Sequence, residues 1–175
     1  MKVRLQAQTA EDRAQKSRII QEKVFALGVF QQASTVLLYA SHDGEVETGH
    51  LLGESLKLKK IIGLPKVVQK QRQILPIRVD NLTEDLESVL YGILEPKYQH
   101  DRILPLQELD LVIVPGLAYD RTRHRLGRGA GYYDRFLSTL PSKTITIGLA
   151  FDFQIIESLP ERAPFDLPVS LVITN

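Results

Sequence analysis

The 175 residues suit one domain, residues 1–175, with one sizeable core and little room for a second. With 43% hydrophobic and 25% charged residues, the chain is neither disordered nor fibrous. The absence of cysteine rules out disulfides and thiolate metal sites, and a net charge of +1 leaves any affinity for anions to local clustering.

The opening "MKVRLQAQTAEDRAQKSRII" lacks the apolar core of a signal peptide, and no run approaches the length of a membrane span. A cytoplasmic protein with no membrane partner is expected. Thr9 and Asp12 are placed to cap a helix that continues through Ile19, Ile20, Lys23, Val24 and Leu27. "TVLLYA" (35–40) predicts a buried strand, and a loop then leads to a short helix beginning near Thr48. "KIIGLPKVV" and "QILPIRV" predict two more strands, the second pushed toward a sheet edge by Pro76. "LVIV" (111–114) is apolar throughout, as strands covered on both faces tend to be, and "TITIGLAF" and "VSLVIT" supply the last two. Strands alternating with helical patterns predict an α/β fold, a three-layer α/β/α sandwich around a mainly parallel, Rossmann-like sheet.

From Pro115 to about Gly129 apolar periodicity nearly vanishes, and so long a connection inside a small domain points to function. It leaves the end of a strand, where open α/β sheets bind ligands, and enters a helix marked by Tyr133, Phe136, Leu137 and Leu140 and stopped by Pro141. Gly127, Gly129 and Gly131 precede that helix, and Arg121, Arg123, Arg125 and Arg128 surround them. Glycine lets backbone N–H groups approach a ligand, the helix N-terminus adds partial positive charge, and guanidinium groups grip phosphate oxygens in pairs. Together these describe a polyphosphate cradle. The spacing fits neither a Walker A loop nor the dinucleotide fingerprint, so a glycine turn with solvated arginines stays open on these residues alone. Asp134, in the first turn of the helix, can complement the helix dipole or hold Mg²⁺ beside phosphates, with Asp120 and Asp166 as other candidates.

"VPGLAYDRTRHRLGRGAGYYDRFL" resembles the signature of the 5-formyltetrahydrofolate cyclo-ligase (methenyltetrahydrofolate synthetase) family, roughly V-P-G-x-x-[FY]-D followed by R-L-G-x-G-x-G-Y-Y-D. "DRAQKS", "GEVET", "YGILEP", "IGLAFDFQ" and "LPERAPFDLPVSLVIT" are similar to further elements of that family, so the likeness spans nearly the whole chain. The resemblance implies an enzyme that uses ATP and Mg²⁺ to close 5-formyltetrahydrofolate into 5,10-methenyltetrahydrofolate through an iminium phosphate, releasing ADP and phosphate. It implies that Arg125, Leu126, Gly127, Arg128, Gly129, Ala130, Gly131, Tyr132 and Tyr133 carry ATP. Ala40, Glu45, Arg128, Gly129, Ala130, Gly131 and Tyr132 would meet the folate, Arg128 and Tyr132 would be catalytic, and Asp134 and Asp166 would hold the metal. The expected partners are these two small molecules, without nucleic acid, and the expected state is a monomer.

The chain departs from the family pattern at four places. "MKVRLQ" aligns beyond the family's opening K-x-x-L-R element, so that ATP-binding element is expected to be missing from this sequence; either the true start lies upstream, or ATP binding is weakened or rearranged, and a non-catalytic binding protein is the alternative this raises. Arg123 replaces a turn glycine, an exchange of little consequence if that residue has negative φ. Ala130 replaces the middle glycine of the triplet, and Ile74 and Pro76 alter a methionine-containing pattern on the pterin side, which also raises a related ligase or kinase with a different organic substrate.

Overall fold

Runs of Val, Ile and Leu that can be covered on both faces lie side by side in the computed structural model, which describes residues 1–42, 44–89, 92–159 and 166–175. Tyr91 of "YGILEP" and residues 160–165 of the closing segment lie outside the described residues. The first half contains α1 (Lys2–Gln6), α2 (Ala10–Ala26), α3 (Gly28–Gln32), β1 (Thr35–Leu37), α4 (Gly49–Lys57), β2 (Ile61–Val68) and β3 (Gln73–Val79). After a short pair, β4 (Leu86–Ser88) and β5 (Leu94–Pro96), come β6 (Leu111–Val114), β7 (Ala118–Asp120), β8 (Arg125–Leu126), α5 (Tyr132–Leu137), β9 (Ile145–Leu149), β10 (Ile155–Ile156) and β11 (Leu171–Ile173).

The main sheet runs β11-β9-β6-β1-β2-β3, with every pairing parallel except the antiparallel β2–β3 hairpin at the edge. Pro76 sits on that edge strand, where a missing N–H is tolerated, as expected. Side chains alternate across the sheet. Val36, Leu38, Ile62, Leu64, Leu111 and Ile113 join one core with Ile20 and Val24 of α2 and Leu51 and Leu52 of α4. Leu37, Val112 and Val114 join the other, with Phe136 and Leu137 of α5. The expected α/β fold with a mainly parallel sheet is present. Among the described residues, no helix is long and apolar enough to cross a membrane.

Strand order creates the site. From β1 the chain passes through α4 on one face to β2, while from β6 it passes through α5 on the other face to β9. Neighbouring strands whose connections leave in opposite directions open a crevice at their carboxyl ends.

Local chemistry explains the helix starts. The Thr9 side chain accepts the Asp12 N–H at 3.1 Å and caps α2. The helix ends at Ala26, with Ile20 and Val24 buried while Ile19 is 38% exposed, so the apolar stripe is narrower than the sequence implied. Thr48 precedes α4 as expected but does not cap it. Its hydroxyl donates to the Tyr39 carbonyl at 2.5 Å, and Gln21 of α2 accepts the orphan Leu51 N–H at 2.7 Å.

Two corrections concern residues 115–129. The segment contains β7 and β8, which form a second sheet with β10. Strands of two or three residues carry too few side chains to display a period. The Asp120 carboxylate organises the turn between β7 and β8, accepting the Thr122 N–H at 2.9 Å, its hydroxyl at 2.7 Å and the His124 N–H at 3.1 Å. Burial raises the pKa of this carboxyl, but those hydrogen bonds and one from the Leu159 N–H prevail and bring it down to about 2. Arg123, in that turn, has φ +66°, in the left-handed region, so the condition under which replacing the turn glycine would be of little consequence is not met. It is held there by its carbonyl, which accepts the Val169 N–H at 3.0 Å, and by its guanidinium, which donates to the Ser170 carbonyl at 2.6 Å. Arg123→Gly and Arg123→Ala both lose the second contact, but only glycine relieves the backbone. The glycine variant is therefore expected to be the more stable of the two by about 1 kcal/mol, measured by denaturant unfolding. Equal stabilities would show the turn to be unstrained.

Candidate functional site

The crevice between β1 and β6 widens into a cavity of about 250 Å³. Tyr39 and Ala40 line it beyond the end of β1, and Pro115, Gly116 and Leu117 beyond the end of β6. The β2–β3 hairpin contributes an apolar wall of Pro65, Val67 and Ile74, extended by Ile93 and Leu94. Arg125, Gly127, Arg128 and residues 130–134 form another part of its lining. One space thus joins an apolar wall to a cationic, glycine-rich one.

Arg125 is the fixed point of the cationic wall. Its side chain is 4% exposed and donates from Nη2 to Asp134 Oδ1 at 2.6 Å. Its guanidinium carbon lies 5.4 Å from the centre of the Tyr133 ring. Burial pushes the Tyr133 phenol well above its usual range, with Glu45 adding to the rise and Arg125 opposing it, so the ring beside the guanidinium stays neutral. A Cβ on Gly127 would come within 2.9 Å of Arg125 Nη1, and one on Gly131 within 2.9 Å of Arg135 Nη1. Two of the three glycines therefore leave room for arginine side chains, a role the sequence reading missed. Gly129 (φ +95°) and Gly131 (φ +66°) also adopt left-handed backbone, which glycine accommodates without strain. A Cβ on Gly129 would meet no atom of the described residues within 4 Å.

Glu45 reaches the cavity from the β1–α4 loop. Helix α2 holds that loop in place: Ser17 Oγ accepts the Glu47 N–H at 2.9 Å, and Arg13 Nε donates to Glu47 Oε1 at 2.9 Å. The "DRAQKS" and "GEVET" stretches, far apart in sequence, are thus one structural unit. Glu45 Oε2 accepts the His42 N–H at 3.1 Å, and Oε1 accepts from Arg128 Nη2 at 3.1 Å. The Glu45–Arg128 pair joins the β1–α4 loop to the glycine segment.

Comparison with known proteins shows the family of the chain. The profile of the 5-formyltetrahydrofolate cyclo-ligase family matches residues 1–175. The 5-formyltetrahydrofolate cyclo-ligase of Haemophilus influenzae is 32% identical over 162 residues, covering 92% of this chain and 86% of that relative. The chain belongs to the 5-formyltetrahydrofolate cyclo-ligase family. The mouse cyclo-ligase is 31% identical over 168 residues, covering 91% of this chain and 83% of its own. The solved 5,10-methenyltetrahydrofolate synthetase of Aquifex aeolicus superposes with a TM-score of 0.84 at 33% identity, covering 99% of this chain and 84% of that one. As a member of this cyclo-ligase family, the chain is an enzyme.

Among the residues implied by the family, Ala40, Glu45, Arg125, Gly127, Arg128, Ala130, Gly131, Tyr132, Tyr133 and Asp134 all line the cavity. Leu126, Gly129 and Asp166 are not among its lining residues. The four-arginine cluster divides: Arg121 pairs with Glu157 at 3.0 Å and Arg123 reaches Ser170, leaving Arg125 and Arg128 to the cavity. The sequence reading missed Tyr39, His42, Pro65, Val67, Ile93 and Leu117. They converge through strand pairing and loop placement, and no periodicity or motif in the sequence marks that convergence.

Burial raises the pKa of the Glu45 carboxyl above its usual 4.5, outweighing Arg128 and the His42 N–H, which lower it. A carboxyl with a raised folded value adds stability that is complete below the unfolded pKa and is lost as pH rises through the folded one. Glu45→Gln is therefore expected to gain stability relative to the parent at neutral pH and to show no gain below about pH 4, measured by thermal unfolding across pH. Arg128→Ala should raise the Glu45 midpoint further in a carbon NMR titration of the carboxyl. A midpoint at or below 4.5 in the parent would contradict the buried placement of this carboxyl.

Proposed function

We propose that this enzyme, acting as one domain over residues 1–175 in the cytoplasm, cyclises 5-formyltetrahydrofolate to 5,10-methenyltetrahydrofolate with ATP and Mg²⁺. One observation carries the reading: a single cavity joins an apolar wall suited to a flat heterocycle to an arginine–glycine wall suited to phosphates. The named activity of the family relatives supplies the reaction. Folate lies against the β2–β3 hairpin with Ala40 and Glu45 beside it, and the nucleotide's phosphates lie against residues 125–133.

The chemistry asks little covalent work of the protein. The formyl oxygen on N5 attacks the terminal phosphorus, and ADP departs with the electrons of the broken P–O bond. N10 then adds to the activated formyl carbon, inorganic phosphate leaves with its oxygen, and loss of the N10 proton completes the methenyl bridge. Both nucleophiles belong to the substrate, so the enzyme's task is alignment and charge stabilisation. Arg128 neutralises oxygens of the transferred group, with Tyr132 at the junction of the two substrates. Among the described residues no acceptor meets the buried Nε of Arg125, which favours an anion nearby.

The donor set is compatible with magnesium. Among the described residues, no three acidic or histidine side chains gather to hold a metal, but Asp134 lines the cavity beside the cationic wall. Mg²⁺ accepts such sparse protein ligation when phosphate oxygens complete its shell, and when bound it supplies charge neutralisation. Asp134 is the first ligand assigned, with Asp166 as the second.

The purified chain mixed with 5-formyltetrahydrofolate, ATP and Mg²⁺ is expected to produce the near-ultraviolet absorbance of the methenyl product, and each omission should abolish it. No product from the complete mixture would refute the proposal. Asp134→Asn should raise the Mg²⁺ concentration for half-maximal rate about tenfold, as loss of a carboxylate ligand would. An unchanged metal dependence would confine Asp134 to holding Arg125.

A further inference from the structure

Arg135 lines no part of the cavity, yet it ties two of the walls together. From α5, its Nε donates to the Arg72 carbonyl at 2.8 Å, in the turn of the β2–β3 hairpin. Its Nη2 donates to the Ala130 carbonyl at 2.8 Å, inside the glycine segment. The same guanidinium lies 5.6 Å from the centre of the Tyr132 ring. The missing side chain of Gly131 keeps its path open, since a Cβ there would come within 2.9 Å of Nη1. Arg72 has φ +50°, a strained conformation that persists where surrounding contacts over-determine it, and the bond from Arg135 is one such contact.

The hairpin held by this contact is the apolar wall. Val67 and Ile74 are partners in the β2–β3 register, and both face the cavity. Ala130 and Tyr132 belong to the arginine–glycine wall. One planar fork therefore spans the two surfaces between which the reacting molecules would have to be aligned.

We propose that Arg135 is a positioning residue that fixes the separation of the hairpin wall from the glycine segment, and so the alignment of folate with nucleotide. This rests on the placement of the two substrates given under the proposed function. Each wall keeps its own ligand contacts when the brace is removed, so the loss falls on the step between the ligands. Arg135 is exposed, and its contacts contribute little to global stability. Lysine cannot replace it, because a single ammonium lacks the fixed fork that reaches two carbonyls at once.

The test compares full-length parent, Arg135→Ala and Arg135→Lys by steady-state kinetics, by calorimetric titration of each substrate alone, and by thermal unfolding. For Arg135→Ala, kcat is expected to fall about tenfold or more, while the Kd of each substrate stays within about twofold and the melting temperature stays near the parent's. Arg135→Lys should recover only part of the rate. An unchanged kcat in either variant, or a rate loss matched by an equal loss of affinity for one substrate, would overturn the brace while leaving the proposed function standing. Failure of the parent itself to bind nucleotide or folate would overturn the proposed function, and the brace with it.

Discussion

A guanidinium group removed from water has to be met by opposite charge and hydrogen-bond acceptors, and Arg125 imposes that requirement on the whole site. Its partners, Asp134 at 2.6 Å and the Tyr133 ring, both lie on α5. The charge on β8 is therefore accommodated only when the first turn of α5 docks beside it. That docking seats Phe136 and Leu137 in the second core with Val112 and Val114 of β6. Backbone geometry, core packing and the charged wall of the cavity are set together by one ion pair.

The glycine segment is best understood from the same constraint. A glycine-rich stretch ahead of a helix suggests backbone approaching a ligand, and the left-handed Gly129 and Gly131 are consistent with that. Gly127 and Gly131, however, also stand where a methyl group would collide with a guanidinium. Two glycines of the segment thus leave space that arginine side chains occupy, Gly127 for Arg125 and Gly131 for Arg135. Arg125 and Arg135 use that room differently, the first buried in an ion pair and the second braced across two carbonyls.

On the opposite side, Glu45 is presented by a loop that α2 clasps through Ser17 and Arg13. Helix α2 thereby serves the site without touching the cavity. Several stretches that resemble family elements have the same indirect character. Asp120 gathers the N–H groups of Thr122 and His124 and so fixes the turn leading to Arg125.

The sequence by itself determined the parallel-sheet class, the edge position of the Pro76 strand, the Thr9 cap and the glycine–arginine segment as the place to look. These are local matters: β-branched apolar runs, a proline without an N–H, a hydroxyl three residues before a free N–H, and a stretch without periodicity. Family likeness added Ala40 and Glu45, both of which line the cavity, as does Asp134, which its place in the first turn of the helix had already marked. Tertiary structure alone decided which arginines face the cavity, since Arg121 and Arg123 are turned to Glu157 and Ser170 by residues far along the chain. It also decided the left-handed φ of Arg123, the apolar wall of Pro65, Val67 and Ile93, and the span of Arg135 from Arg72 to Ala130. Those features depend on strand order and on contacts between distant segments, and a one-dimensional pattern carries no record of which distant segments will meet.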